Sequence, residues 1–209
     1  MLRLASAPRV GQGGVYPVGI EIQYARTARR AIQQSLVVIR STVNANSTVW
    51  TDRVRPETGP RRDAWQDSVR EVFAHYSAIA LREVQEIFAP YLHRTANYIS
   101  QFNYNGRATD FRRARAVPPP RIEPWLSATL LEWERRDLEM IQGVTEDQIR
   151  RIQGVVLWTL QGVTTPAQLR QEVQQAMATG PGRAANIARD QVSKLNSNLT
   201  MLRQRAGGV

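Results

Sequence analysis

The sequence predicts an all-α protein: long amphipathic helices, an extended N-terminal arm and a C-terminal multi-helix unit. Three observations carry that expectation. Apolar residues recur at three- and four-residue steps through most of the chain. Glycine, proline and Asn/Ser/Thr clusters punctuate those periods where helices would start and stop. No stretch combines two-residue alternation with the turn chemistry of strands.

Residues 1–19 carry Pro8, Gly11, Gly13, Gly14, Pro17 and Gly19 with no helical period, which reads as an extended arm ordered only by a partner. From Ile20 the pattern changes. Tyr24, Ala28, Ile32, Leu36, Ile39 and Val43 form one face of a long helix that Asn44, Asn46 and Ser47 should end. A polar connection over 51–62 with Pro56, Gly59 and Pro60 leads to a second helix. Its apolar face holds Trp65, Val69, Phe73, Tyr76, Ala80, Val84 and Ile87. Pro90 should stop or kink it, because proline lacks an N–H and clashes with the preceding turn. A shorter helical stretch from Tyr91 to Phe102 completes an N-terminal long-helix region over 20–102.

Residues 103–120 contain Asn103, Asn105, Gly106, four arginines and Pro118-Pro119-Pro120, and read as a linker ending in stiff polyproline. The C-terminal unit, 121–209, has the clearest punctuation. Ile122, Leu126, Leu130, Trp133 and Ile141 line a helix that Gly143 should end. Thr145 with Gln148 reads as a capping box for the next helix, through Ile149, Ile152, Val156 and Leu160 to Gly162. Thr165-Pro166 with Gln168 repeats that signal ahead of Leu169, Val173 and Met177, and Gly180 ends this helix. Pro181 opens a last helix whose seam is Ala188, Val192, Leu195, Leu199 and Leu202, narrow enough to pack on one or two partner helices.

Composition fits a globular chain, with 42% hydrophobic and 22% charged among 209 residues. The absence of cysteine excludes disulfides and thiolate metal sites. Residues 1–10 lack the apolar core of a signal peptide, and no apolar run approaches the ~18 residues of a membrane span. A soluble chain with no membrane partner is expected. The net charge is +10, and Lys194 is the only basic residue that is not arginine. Basic residues outnumber acidic ones 8 to 3 in residues 1–59, 9 to 6 in 60–120 and 11 to 9 in 121–209. A basic front end suits packed nucleic acid or an acidic protein surface, and charge alone does not choose.

Catalytic patterns are missing. Neither a phosphate-binding loop nor a dinucleotide glycine pattern occurs, and His75 and His93 lack the spacing of a helical zinc site. They read as surface or packing residues. Glu132, Glu134, Asp137 and Glu139 beside Arg135 and Arg136 read as a solvated helix face rather than a metal cluster. We expect no catalytic residues, no cofactor and no metal. Arg107, Arg112, Arg113 and Arg115, interleaved with Tyr104 and Phe111, are candidate contacts to nucleic acid or to an acidic partner. Of the five tryptophans, Trp65, Trp125, Trp133 and Trp158 read as core anchors. Trp50, beyond the expected helix end, is a candidate interface anchor as well as a core residue.

One segment resembles a family. Residues 183–196, Arg-Ala-Ala-Asn-Ile-Ala-Arg-Asp-Gln-Val-Ser-Lys-Leu-Asn, are similar to the signature helix of phage head-morphogenesis proteins typified by the F protein of phage Mu. Asn198, Leu199, Arg203 and Gln204 continue the likeness. Upstream, Met140 to Val144, the Thr145 segment, Gly162 and Leu169 follow the family's order, and Tyr16-Pro17 resembles its entry. The family pattern runs on past this helix into a segment absent from this sequence, so no activity of that segment carries over. The resemblance implies a non-enzymatic minor head protein present in several copies per virion. It implies binding to the portal or major capsid protein inside the capsid, after assembly in the host cytoplasm. Arg189, Asp190, Gln191, Lys194 and Asn196 are the implied partner contacts, with Asp190 and Lys194 spaced for an ion pair. The alternative is an internal virion protein that binds packaged DNA non-specifically through its arginines and is ejected with it.

Overall fold

Helix α1 (Val18–Arg53), α2 (Arg62–Arg113), α3 (Leu126–Gln161), α4 (Pro166–Ala178) and α5 (Gly180–Ala206) build the chain. The structure is a computed structural model that describes residues 16–53, 62–113, 122–161, 165–178 and 180–206. Residues 51–53, 62–65, 110–113 and 181 are described by backbone alone. Among the described residues there is no strand, so the all-α class holds.

The apolar face read from the sequence of α1 is the buried one. Tyr24, Ala28, Ile32, Leu36, Ile39 and Val43 are all in the core. The helix does not end at Asn44 to Ser47. There the polar side chains bond back along the helix, Asn46 Nδ2 donating to the Thr42 carbonyl at 2.8 Å and Ser47 Oγ to the Asn44 carbonyl at 3.0 Å. Trp50 continues the buried face at 3% exposure, and burying an indole outweighs a few tenths of a kcal/mol of poor helix propensity per residue. Trp50 is therefore a core residue in this fold.

α2 runs unbroken for 52 residues with Pro90 inside it. A proline there costs about 3 kcal/mol through its missing N–H and its clash with the previous turn. Pro90 lies on the exposed side, while Phe88, Leu92, Ala96 and Ile99 are buried on the other, so packing offsets the defect. The same helix takes in residues 103–113, which corrects the expected linker boundary. Residues 114–120, with Pro118 to Pro120, lie outside the described residues, as do residues 1–15 of the expected arm.

α3 passes through Gly143 and Gly154 without a break. Thr145 is no N-cap: its hydroxyl donates to the Ile141 carbonyl at 3.1 Å, and Gln148 is fully buried. Each glycine costs about 1 kcal/mol in a helix, which the burial of Ile141, Val144, Ile149 and Ile152 exceeds. α4 starts as read. The Gln168 N–H donates to Thr165 Oγ1 at 3.3 Å, the Thr165 N–H donates to Gln168 Oε1 at 2.9 Å, and Pro166 is the first helical residue.

α1 packs against each of the other four helices, and α2, α3 and α5 also touch one another. Buried residues from residues 20–102 and from residues 121–209 belong to one apolar cluster. Trp133 joins that cluster, whereas Trp158, expected inside, is 70% exposed.

Candidate interaction helix

The helix carrying the resemblance, α5, is held from end to end. Ala184 and Ala188 bring its first half close to the bundle, and Val192, Leu195 and Leu199 fill the second half. Trp133 Nε1 donates to the Gln191 carbonyl at 3.3 Å. Tyr16 Oη donates to the Arg189 carbonyl at 3.2 Å, while Arg189 Nε donates to Glu21 Oε1 at 3.3 Å. Burial, with Glu21 beside it, pushes the Tyr16 phenol well above its usual range. Arg183 pairs with Asp147 of α3 at 2.8 Å.

The C-terminal half of α5 ends on a buried arginine. Arg203 Nε and Nη2 each donate to a carboxylate oxygen of Glu123 at 2.6 Å. Nη1 donates to the Ser100 carbonyl at 2.9 Å and to Asn103 Oδ1 at 2.8 Å, and Nη2 also donates to Ser100 Oγ at 3.0 Å. All five guanidinium N–H groups are thus used, and the guanidinium lies 5.4 Å from the Tyr104 ring centre. Asn103 turns its amide to α5, donating to the Asn196 carbonyl, Asn196 Oδ1 and Thr200 Oγ1 at 3.1, 2.9 and 2.8 Å. One polar node therefore ties α2, the approach to α3, and α5 together.

A second buried polar contact joins α1 to α3. Tyr24 Oη donates to Asp137 Oδ2 at 2.6 Å, inside a cage that includes Phe88 and Trp133. Asp137 is fully buried and its Oδ1 has no partner. Burial pushes its carboxyl up to about 7. The Tyr24 hydrogen bond opposes that shift, Asp190 adds to it, and Lys194 opposes it. Asp137 was expected on a solvated face. Glu132 and Glu139 do lie there, bonded to Arg135 at 3.0 and 2.6 Å.

The residues implied as partner contacts divide into two sets. Gln191 is buried and Asn196 half-buried, both engaged inside the chain, with Gln191 Nε2 donating to Asp190 Oδ2 at 2.9 Å. Arg189, Asp190 and Lys194 face solvent, and the expected Asp190–Lys194 pair closes at 2.6 Å. Arg107 is half-buried on α2. The side chains of Arg112 and Arg113, and the whole of Arg115, lie outside the described residues, as does the Trp65 side chain. His75 is exposed with its ring edge-on to Tyr76, and His93 Nδ1 lies 3.1 Å from Glu134 Oε1.

Among the described residues no group of three or more His, Asp or Glu could hold a metal ion, and no helix is long and apolar enough to cross a membrane. Compared with protein-family models, curated proteins and solved structures, the chain matches none.

Proposed function

We propose that this chain is a non-enzymatic minor head protein of a tailed phage that docks on the portal or inner capsid surface during head assembly or genome delivery. The likeness of residues 183–196 to the head-morphogenesis signature supports it, as does the placement of that stretch on a rigidly seated helix. The apolar seam of α5 is filled by its own bundle, so docking uses other side chains. The observation that carries this is a set of exposed apolar groups on the segments that the polar node ties together. Tyr98, Ile122 and Met201 are exposed, each within two residues of Ser100, Glu123 or Arg203. A rigid support under apolar anchors lowers the entropy cost of association. Arg189, Asp190 and Lys194 add charges that fix orientation more than strength.

The test is co-purification with a cognate portal protein, without DNA, at low and high salt. A salt-resistant complex of fixed stoichiometry, lost in the triple variant Tyr98→Ser, Ile122→Ser, Met201→Ser, is the expected outcome. No complex, or one that dissolves with modest salt, overturns portal docking and favours the internal DNA-binding reading.

A further inference from the structure

The arginines of this chain are treated differently on different helices. On α3, Arg135, Arg136 and Arg150 are each paired with a carboxylate of the same helix at 2.6 to 3.4 Å. On α1, Arg26, Arg30 and Arg40 form no ion pair among the described residues, and they face solvent. No acidic residue occurs from position 22 to position 51, and the one carboxylate before them on α1, Glu21, is taken by Arg189.

These arginines share a stripe. Positions 26, 30, 33, 37, 40 and 44 step by four and three, which places Arg26, Arg30, Gln33, Arg40 and Asn44, with Val37 among them, along one exposed face. The opposite face, from Tyr24 to Val43, is locked in the core, so the stripe cannot rotate inward. From Arg26 to Arg40 it runs about 21 Å, the length of roughly six base pairs. Arg26 and Arg30, four apart, repel each other in the free chain, and an external anion relieves that repulsion.

We infer that the exposed face of α1 binds the phosphate backbone of duplex DNA without reading its sequence. Arginine forks match phosphate oxygens bidentately, and the Gln33 and Asn44 amides add neutral donors between them. An acidic protein would supply anions too. Protein interfaces, however, centre on aromatic anchors, and no exposed aromatic lies on α1. This inference does not rest on portal docking, since it concerns another face and is read with the chain alone.

The experiment measures affinity of the full chain for a labelled duplex of about 30 base pairs between about 50 and 200 mM salt. The stripe variant Arg26→Gln, Arg30→Gln, Arg40→Gln is compared with a charge-matched control, Arg82→Gln, Arg94→Gln, Arg170→Gln, after circular dichroism shows both remain helical. The expected result is a logarithmic salt slope smaller by about 2 to 3 in the stripe variant, with at least about tenfold weaker binding at the lowest salt. The control loses less than about threefold. Equal losses in both variants, or no binding by the parent chain, overturn the inference. So does displacement of DNA by polyglutamate of equal charge at equal concentration, which would assign the stripe to an acidic protein.

Discussion

Arg203 and Glu123 form a bidentate ion pair with both contacts at 2.6 Å, at a place where their side chains are only 1% and 5% exposed. Removing one partner strands the other charge in the interior. Arg203→Ala should cost about 3–5 kcal/mol in urea unfolding, whereas replacing both residues with Met and Leu should cost much less than the sum of the single changes. A loss below about 1 kcal/mol for Arg203→Ala would mean that water reaches the node.

Asp137 makes stability depend on pH in a defined direction. Its folded-state carboxyl titrates at about 7, above the ~3.9 of an unfolded aspartate. The protonated form therefore favours folding. That contribution is complete below about pH 4 and is lost as pH rises through about 7. Asp137→Asn, which mimics the neutral acid, should unfold at a higher denaturant concentration than the parent at pH 8. At pH 4 the two should match, with a difference on the order of 2–4 kcal/mol between those extremes. Parallel pH profiles for the two proteins would refute this.

Two glycines in helices should respond oppositely to alanine. A Cβ at Gly180 would sit 3.1 Å from Gln148 Cγ and 3.3 Å from its Cδ and Nε2, and Gln148 is itself buried. Gly180→Ala should cost about 1–3 kcal/mol. At Gly154 a Cβ meets nothing within 4 Å, on an exposed helix face, so Gly154→Ala should stabilise by about 0.5–1 kcal/mol. Thermal midpoints of the two variants that moved the same way would contradict the close approach of α5 to α3.

The tryptophans offer a third contrast. Trp133→Ala removes a buried indole whose N–H bonds α5 and should cost about 3–5 kcal/mol. Trp158→Gln should stay within about 0.5 kcal/mol of the parent. Chemical denaturation curves decide between them, and a large loss at position 158 would place that ring in a contact the bundle does not show.

Periodicity made the faces of the helices readable and left most of their ends unreadable. The buried set of α1, the seam of α5, the Thr165 cap and the Asp190–Lys194 pair follow from spacing alone. Asn46, Gly143 and Pro90 carry local stop signals worth a few tenths, about 1 and about 3 kcal/mol respectively, and apolar burial on the far side of each helix exceeds that. Two misplacements were recoverable. Asp137 falls on the step from Leu130 and Trp133 to Ile141 and Val144, so its burial follows from the period. Trp158 falls opposite Ile152, Val156 and Leu160. Arg203 was not recoverable, because its partners Ser100 and Glu123 lie 103 and 80 residues away, and no local pattern joins them.

The bond from Tyr16 to the Arg189 carbonyl spans 173 residues and couples the making of the protein to its folding order. At roughly 5–20 residues per second, the ribosome takes on the order of 10–35 s between these two positions. For that interval α1 can pair only with α2, then α3 and α4, and the strip of its apolar surface reserved for α5 stays open. α5 thus closes the bundle over α1, and a nascent chain stalled before it would present that open apolar strip to chaperones.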